Sequence, residues 1–356
     1  GVWGSAGALV AAALGRIARR PVLLLTAHLD EADDAADDIE VLTGAPATLF
    51  PAWEVDIGTE HVNDEIAGER LCICNLLAGG EGLGDNRDSS PGVLVAPVMA
   101  MLQPVPTAEA LAAGRLSLRR GDEMPVETLF QWLVAGGFEH VEQVDQQGEF
   151  AHRGGIVDVF PTGSAQAVRV EFFGDRVESV RLFDLDTQRS TRTVDRFDLT
   201  VAAAGLQTDS ARSTSLLDYL PAETVVCMVE PAEVRELAGE LFRRLEETRA
   251  ADSLRLLDPE GVFAAMGRFA QGQLFTFSPR RQGRTFDLGV RSLQRVSLNT
   301  HEALEELGEL AATAEVRVYC ENPAEEARFR ELLNASHPAL AARARTAVGH
   351  VHAGFY

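Results

Sequence analysis

The 356-residue sequence contains no lysine: all 32 of its basic residues are arginine. A Schiff-base lysine, a PLP site, a kinase lysine and a Walker A lysine are therefore excluded within this chain. Cysteine is also scarce. Cys72, Cys74, Cys227 and Cys320 are too few and too scattered for a disulfide framework, and they fit a reduced, cytoplasmic setting. No second Cys/His pair accompanies Cys72-Ile73-Cys74 at ligand spacing, so these read as two buried small hydrophobes and no zinc or other metal is expected. No apolar run approaches a membrane span, and Val22–Leu25 is too short for a signal-peptide core, so no membrane partner is expected. Positive charge is in deficit, with 32 basic against 54 acidic residues and a net charge of -22. Such a field repels phosphate and anionic lipid, which excludes generic coating of nucleic acid.

What is present is ordinary globular composition, 46% hydrophobic and 24% charged, enough for two or three domains. The chain opens at Gly1 without a methionine and stops straight after an apolar run, and is expected to be part of something longer. A Gly-rich turn leads to Ala6, Leu9, Val10, Ala13, Leu14 and Ile17 at helical spacing, then to Val22–Leu25 as a strand buried on both faces. An acidic helix at Asp30–Leu42, a short strand at Ala47–Phe50, a helix at Asp64–Leu77 and a strand at Gly92–Ala96 continue the alternation. This predicts a parallel, doubly wound α/β sheet over residues 1–112, with Gly79–Pro91 as a surface loop. Residues 113–195 read differently, as an α+β domain. Pro125 opens a helix with Val126, Leu129, Phe130, Leu133 and Val134 on its apolar face, and strands Gly155–Phe160, Val168–Phe173 and Val177–Phe183 follow, with a hairpin turn at Gly174-Asp175. Residues 196–278 return to α/β text, with a strand at Thr224–Val229 and a helix at Pro231–Ala250, and are expected to complete the first domain. Beyond a linker at Ser278–Gly283, residues 279–356 suggest a small α/β domain: helix Thr300–Ala312, strand Val316–Tyr319, helix Pro323–Leu333 and strand Arg345–Val351.

Gly4, Ser5, Ala6, Gly7 and Ala8 sit where a phosphate loop would, at the mouth of a helix that precedes a buried strand. A working loop needs a Lys for the β/γ-phosphates and a Ser or Thr for Mg²⁺, whereas Gly7 and Ala8 offer neither. The stretch reads as a vestigial turn that packs the helix, in a segment with five Arg against seventeen Asp and Glu. The run Asp33-Asp34-Ala35-Ala36-Asp37-Asp38 reads as a solvated helix face, and His350 and His352 as an incidental pair on a strand. No catalytic constellation is identifiable. The middle domain is more informative: strand parity places Val168, Val170 and Phe172 on the core face and Arg169, Glu171 and Phe173 on the other. Arg153, ahead of Gly154-Gly155, can join them across the sheet, and Arg with an aromatic on a polar face is the composition of a protein-binding hot spot. A helix or loop covering Phe173 would account for it equally well.

The run Arg153–Pro161, followed by Val168–Asp175, Glu178–Asp184 and Thr187-Gln188-Arg189-Ser190, resembles the UvrB-homology module of bacterial transcription-repair-coupling factors. Phe50-Pro51-Ala52-Trp53-Glu54 resembles that family too, and the resemblance covers essentially the whole chain, thinning after about residue 200. It implies a degenerate P-loop, helicase-like sheet domain, an inserted domain similar to the one UvrB uses to bind UvrA, and a small α/β domain after them. It also implies a non-catalytic module with no cofactor, which recruits UvrA for nucleotide excision repair through Arg153, Arg169 and Phe173. RNA polymerase and duplex DNA would be met by regions outside this chain. UvrB itself has a true Walker A and a Tyr-rich DNA-binding hairpin, while this sequence has Ala6-Gly7-Ala8 and only three Tyr. The competing readings are an ATP-driven DNA motor component and a structural clamp whose exposed middle face another region covers.

Overall fold

A computed structural model describes residues 2, 4–53, 64–78, 92–162, 164, 166–201, 213–247, 256–277, 285–293 and 300–356. Gly1, Trp3, Glu54, the Gly79–Pro91 loop, the Ser278–Gly283 linker and the last residues of the helix expected to reach Ala250 lie outside the described residues.

Five parallel strands form one sheet, in the order Ala270–Leu274, Val225–Val229, Val22–Thr26, Val93–Pro97, Thr48–Leu49. The central strand pairs Val22 with Val225 on one side and Val22 with Val93 on the other, and all five of its residues are buried. Because side chains alternate, its apolar run serves two cores. Leu23 and Leu25 join Leu94, Val226 and Met228 beneath the helices Asp64–Leu77, Val98–Leu102, Pro231–Glu247 and Pro259–Met266. Val22 and Leu24 join Val93, Val95, Val225 and Cys227 beneath the helices Ala6–Ala18 and Leu29–Thr43. On that second face Ala8, Ala11, Ala12 and Ala32 supply the contact, and their small side chains let both helices approach closely. The acidic helix is closed at both ends: Glu31 accepts from the backbone N–H groups of Ala27 and His28, and Gly44, at φ 71°, donates to Glu40 in the left-handed conformation that glycine tolerates.

One feature of the first core escaped the sequence reading. Arg70 is fully buried, with its guanidinium 4.3 Å from the Phe50 ring and 4.4 Å from the Trp53 ring. It donates to the carbonyls of Pro51 at 2.6 Å and Gln103 at 3.1 Å, and burial lowers its pKa to about 9. Gln103, also buried, clasps the Trp53 N–H and C=O at 2.9 Å each, so the Phe50–Trp53 segment is held by a polar knot inside an apolar core. The signal was in the spacing. Arg70 lies three and four residues before the buried Ile73 and Cys74, on the helix's inward stripe.

The middle of the chain forms a six-stranded sheet, in the order Ser190–Val194, Arg176–Phe183, Ala167–Phe173, Ile156–Phe160, Glu149–Arg153, Glu139–His140. It is antiparallel except for the last pair. Its core face, with Val157, Val159, Val168, Val170 and Phe172, is covered by the helix Val126–Ala135, which buries Leu129 and Leu133. Val134, expected on that apolar face, is 61% exposed: it lies about 80° around the helix from Val126, at the margin of the stripe centred on Leu129 and Leu133. Arg115–Arg119 and Arg196–Thr200, not anticipated as strands, pair antiparallel, so the chain enters and leaves this unit side by side.

The last unit has two parallel strands, Arg317–Cys320 and Arg345–Val348, with a small core of Leu304, Ala311, Leu333 and Leu340 from its helices. The second strand was expected to run to Val351 and ends instead at Val348. At Gly349 the chain turns against the acidic helix, where any Cβ would meet Val41 at 2.8 Å.

Two outcomes follow from this packing. Leu24→Ala removes a side chain with no exposure in the central strand, and chemical denaturation should show a loss of about 2–5 kcal/mol. Burial raises the thiol pKa of Cys227 to about 11 and that of Cys74 to about 12, so both thiols stay protonated in the folded state after the unfolded chain has begun to ionise near the ordinary cysteine value of 9.0. Their contribution is complete below pH 9.0 and is lost as pH rises towards those folded values. Cys227→Ala should therefore show a shallower alkaline decline in denaturation midpoint than the parent chain.

Candidate functional site

Strand register gathers the three residues singled out in the middle unit. Arg153 pairs with Ile156, Ile156 with Glu171, and Asp158 with Arg169. Directly opposed residues share a face, so Arg153, Ile156, Asp158, Arg169, Glu171 and Phe173 all lie opposite the core face. Phe173 is 79% exposed, and among the described residues neither a helix nor a loop covers it. The two-residue turn Gly154-Gly155 makes room beside it: Gly154 has φ 63°, and a Cβ on Gly155 would come within 2.6 Å of the Phe172 carbonyl oxygen. The facing hairpin turns at Gly174, with φ 61°, and pairs Phe173 with Arg176.

The two arginines differ. Arg153 is exposed, and one of its terminal nitrogens donates to the Glu142 carbonyl at 3.0 Å. Arg169 has a side chain only 19% exposed and forks onto Asp158, with Nε to Oδ1 at 2.6 Å and Nη2 to Oδ2 at 2.8 Å. Its third nitrogen donates to the Gln188 carbonyl at 3.2 Å, its guanidinium lies 4.8 Å from the Phe183 ring, and the Asp158 hydrogen bonds hold its pKa above the ordinary arginine value. Sequence reasoning missed two neighbours on the same face. Ile156 is 37% exposed, and Arg181 pairs with Glu171 at 3.0 Å while Ser179 donates to the same Glu171 oxygen at 2.6 Å. Parity could have found Ile156; the Arg181 pairing depends on a register shift between Val177 and Ser179 that no sequence pattern announces.

The position expected for a phosphate loop is in contact with the chain's own segment around Ala353. Ser5 is buried, its N–H donates to the Ala353 carbonyl at 3.0 Å, and its Oγ accepts from the Ala353 N–H at 3.0 Å. Gly4, at φ 54°, has no room for a side chain, because a Cβ would meet the Ala353 oxygen at 2.8 Å. Ala6, Gly7 and Ala8 form the first buried turn of the helix behind it. The segment after Val348 is thus seated on the loop, and there the acidic run departs from a solvated face. Asp38 is 3% exposed and accepts from the His352 N–H at 3.0 Å, with the His352 ring Nδ1 at 3.2 Å from the same oxygen and Nε2 at 3.1 Å from Asp34. His350 and His352, expected to be incidental neighbours on a strand, lie beyond its end with ring centroids 4.7 Å apart, and His352 is the residue that docks this segment. The helix around it crowds carboxylates: burial, then Asp37, Asp34 and Asp30, raises the Asp33 pKa. Among the described residues, no three His, Cys, Asp or Glu side chains are grouped to hold a metal ion, and no helix is long and apolar enough to cross a membrane.

With this geometry in place, comparison with known proteins gives a consistent match. Residues 116–204 match the family model of the UvrB interaction domain. The chain is 33% identical to the transcription-repair-coupling factor of Mycobacterium tuberculosis (strain CDC 1551 / Oshkosh) over 263 residues, 72% of this chain and 20% of that protein. It is 32% identical to the Bacillus subtilis (strain 168) protein of that name over 197 residues, 54% of this chain and 16% of the relative. The transcription-repair-coupling factor of Escherichia coli (strain K12) is 31% identical over 211 residues, 58% of this chain and 17% of the relative. The chain thus spans a fifth or less of the length of these relatives. The six-stranded sheet and its covering helix fall within the matched residues, so residues 116–204 belong to the UvrB interaction domain family, in a chain homologous to transcription-repair-coupling factors.

Proposed function

We propose that this chain is a non-catalytic recruitment module, which delivers UvrA to stalled transcription sites for nucleotide excision repair through a patch centred on Arg153, Arg169 and Phe173. The observation that carries this reading is Phe173: a large aromatic, 79% exposed, at the open end of a sheet face whose opposite face is core. An exposed aromatic beside an Arg is what interface anchors are made of, since both bring contact area and Arg adds a planar fork for carboxylates. Arg153 would make such contacts from an exposed position, whereas Arg169, forked onto Asp158, would present only its remaining donors. Contacts to RNA polymerase and duplex DNA, in a cytoplasmic full-length protein, are assigned to regions outside this chain.

The reading as an ATP-driven motor component is disfavoured by the chain's own chemistry. The chain has no lysine for a nucleotide phosphate, and the Ser5 N–H at the helix mouth is already donated to Ala353. Calorimetry with ATP and Mg²⁺ is expected to give no micromolar binding, and such binding would reject the recruitment reading in favour of the motor. In gel-shift titrations at physiological salt, duplex DNA should bind more weakly than about a micromolar, because a net charge of -22 opposes the phosphate contacts on which non-specific binding depends.

The patch itself is tested by truncation. Phe173→Ala and Arg153→Ala should each weaken UvrA binding by about 1–3 kcal/mol, the range of interface anchors, and should leave the denaturation midpoint nearly unchanged. If Phe173→Ala costs stability on the scale of Leu24→Ala, or the triple variant with Arg169→Ala binds UvrA at full strength while folded, the assignment fails.

A further inference from the structure

The two arginines of the patch are joined behind it, and the residue that joins them is Gln188. It stands in the turn that connects the strands Arg176–Phe183 and Ser190–Val194, and its φ is 56°, a conformation that residues with a Cβ rarely adopt. Asp184 builds the turn around it, accepting from the Thr187 N–H at 2.8 Å and the Thr187 hydroxyl at 2.6 Å, while its own N–H donates to the Arg189 carbonyl at 3.0 Å. In this conformation the Gln188 carbonyl accepts from Arg169, and the side-chain amide donates to the Leu185 carbonyl at 2.8 Å and the Val144 carbonyl at 3.3 Å. Val144 belongs to the stretch 141–147, which closes a second small core with Ala151, Phe160, Ala167 and Phe183. Two residues before Val144, the Glu142 carbonyl receives Arg153. The contacts therefore run in one chain, from Arg169 through Gln188 and the 141–147 segment to Arg153. Asp158 holds Arg169 alone; the bonds of Gln188 reach towards both arginines.

We infer that Gln188 is a positioning residue of the partner-binding patch, fixing the settings of Arg169 and Arg153 together without itself touching the partner. An unusual backbone conformation persists where surrounding bonds over-determine it, and such sites cluster where geometry is used in binding. Here the inverted φ directs the carbonyl at one arginine while the side chain pins the segment that seats the other. This inference rests on the UvrA-recruitment reading for its consequence, though not for its geometry.

The test is Gln188→Gly in the full chain, which retains the backbone turn because glycine accepts a positive φ, and deletes the side chain with its amide while keeping the carbonyl that faces Arg169. Amide hydrogen exchange at residues 141–147 should quicken by about tenfold, with the strands 156–160 and 167–173 unchanged, and UvrA should bind roughly three- to tenfold more weakly, the scale of one or two hydrogen bonds. A role confined to stability would add independently to Arg153→Ala. Positioning predicts that the double variant loses clearly less than the product of the two single losses. Multiplicative losses, or unchanged exchange at 141–147, would overturn the inference. If the parent chain does not bind UvrA, the recruitment reading falls, and the exchange experiment together with the NMR signal of the Arg153 side chain, shifted or not by Gln188→Gly, still decides whether Gln188 sets that arginine.

Discussion

The pairing of Val22–Leu25 with Val225–Met228 is the contact on which the rest of the structure depends. It joins segments about two hundred residues apart, and a long-range pairing is favourable only when what it buries offsets the entropy of closing so long a loop. The offset is visible in the two cores. The strand 225–229 contributes Val226 and Met228 to one and Val225 and Cys227 to the other, and it supplies the edge to which Ala270–Leu274 then adds. The middle unit sits between these paired segments as a self-contained sheet, and the adjacent strands Arg115–Arg119 and Arg196–Thr200 bring its two ends together, so that its own core does not strain the larger sheet.

Core and non-core residues are separated within the middle unit by the alternation of one pleated surface. Val168, Val170 and Phe172 face the core, while Arg169, Glu171 and Phe173 lie on the other face. That other face is divided unevenly. The end of the face near Ala151, Phe160 and Phe183 is closed by the 141–147 segment and the turn at 184–189, whereas the end with Ile156 and Phe173 is left open. The closed end carries the partly buried ion pair of Arg169 with Asp158. The exposed apolar area of Ile156 and Phe173 thus stands beside a hydrogen-bonded base.

At the position where the sequence suggested a phosphate loop, the chain makes a contact with itself. A helix mouth that lacks a cation still has N–H groups to satisfy, and here the chain's own carbonyl at Ala353 satisfies one of them. The docking is reinforced by His352 between Asp34 and Asp38, which turns part of an acidic surface into an intramolecular contact. A run of aspartates near one end of the chain and a pair of histidines at the other have no visible relation until the fold places them in contact.

The sequence by itself determined what alternation and composition can encode. These are the central strand at 22–26, the helix at 64–77, the hairpin about Gly174, the two faces of the strand 167–173, and the exclusion of lysine chemistry. Each is local, set by side-chain period or by residue type, so one segment suffices to read it. The tertiary structure decided everything that depends on which segments meet. It left Phe173 uncovered, forked Arg169 onto Asp158 and so made it more an anchor than a free charge, buried Arg70 between two aromatics, and carried His352 to Asp38 across more than three hundred residues. The physical reason is the same in each case: burial and hydrogen bonding are properties of pairs, and a partner distant in sequence leaves no periodic trace in the segment that receives it.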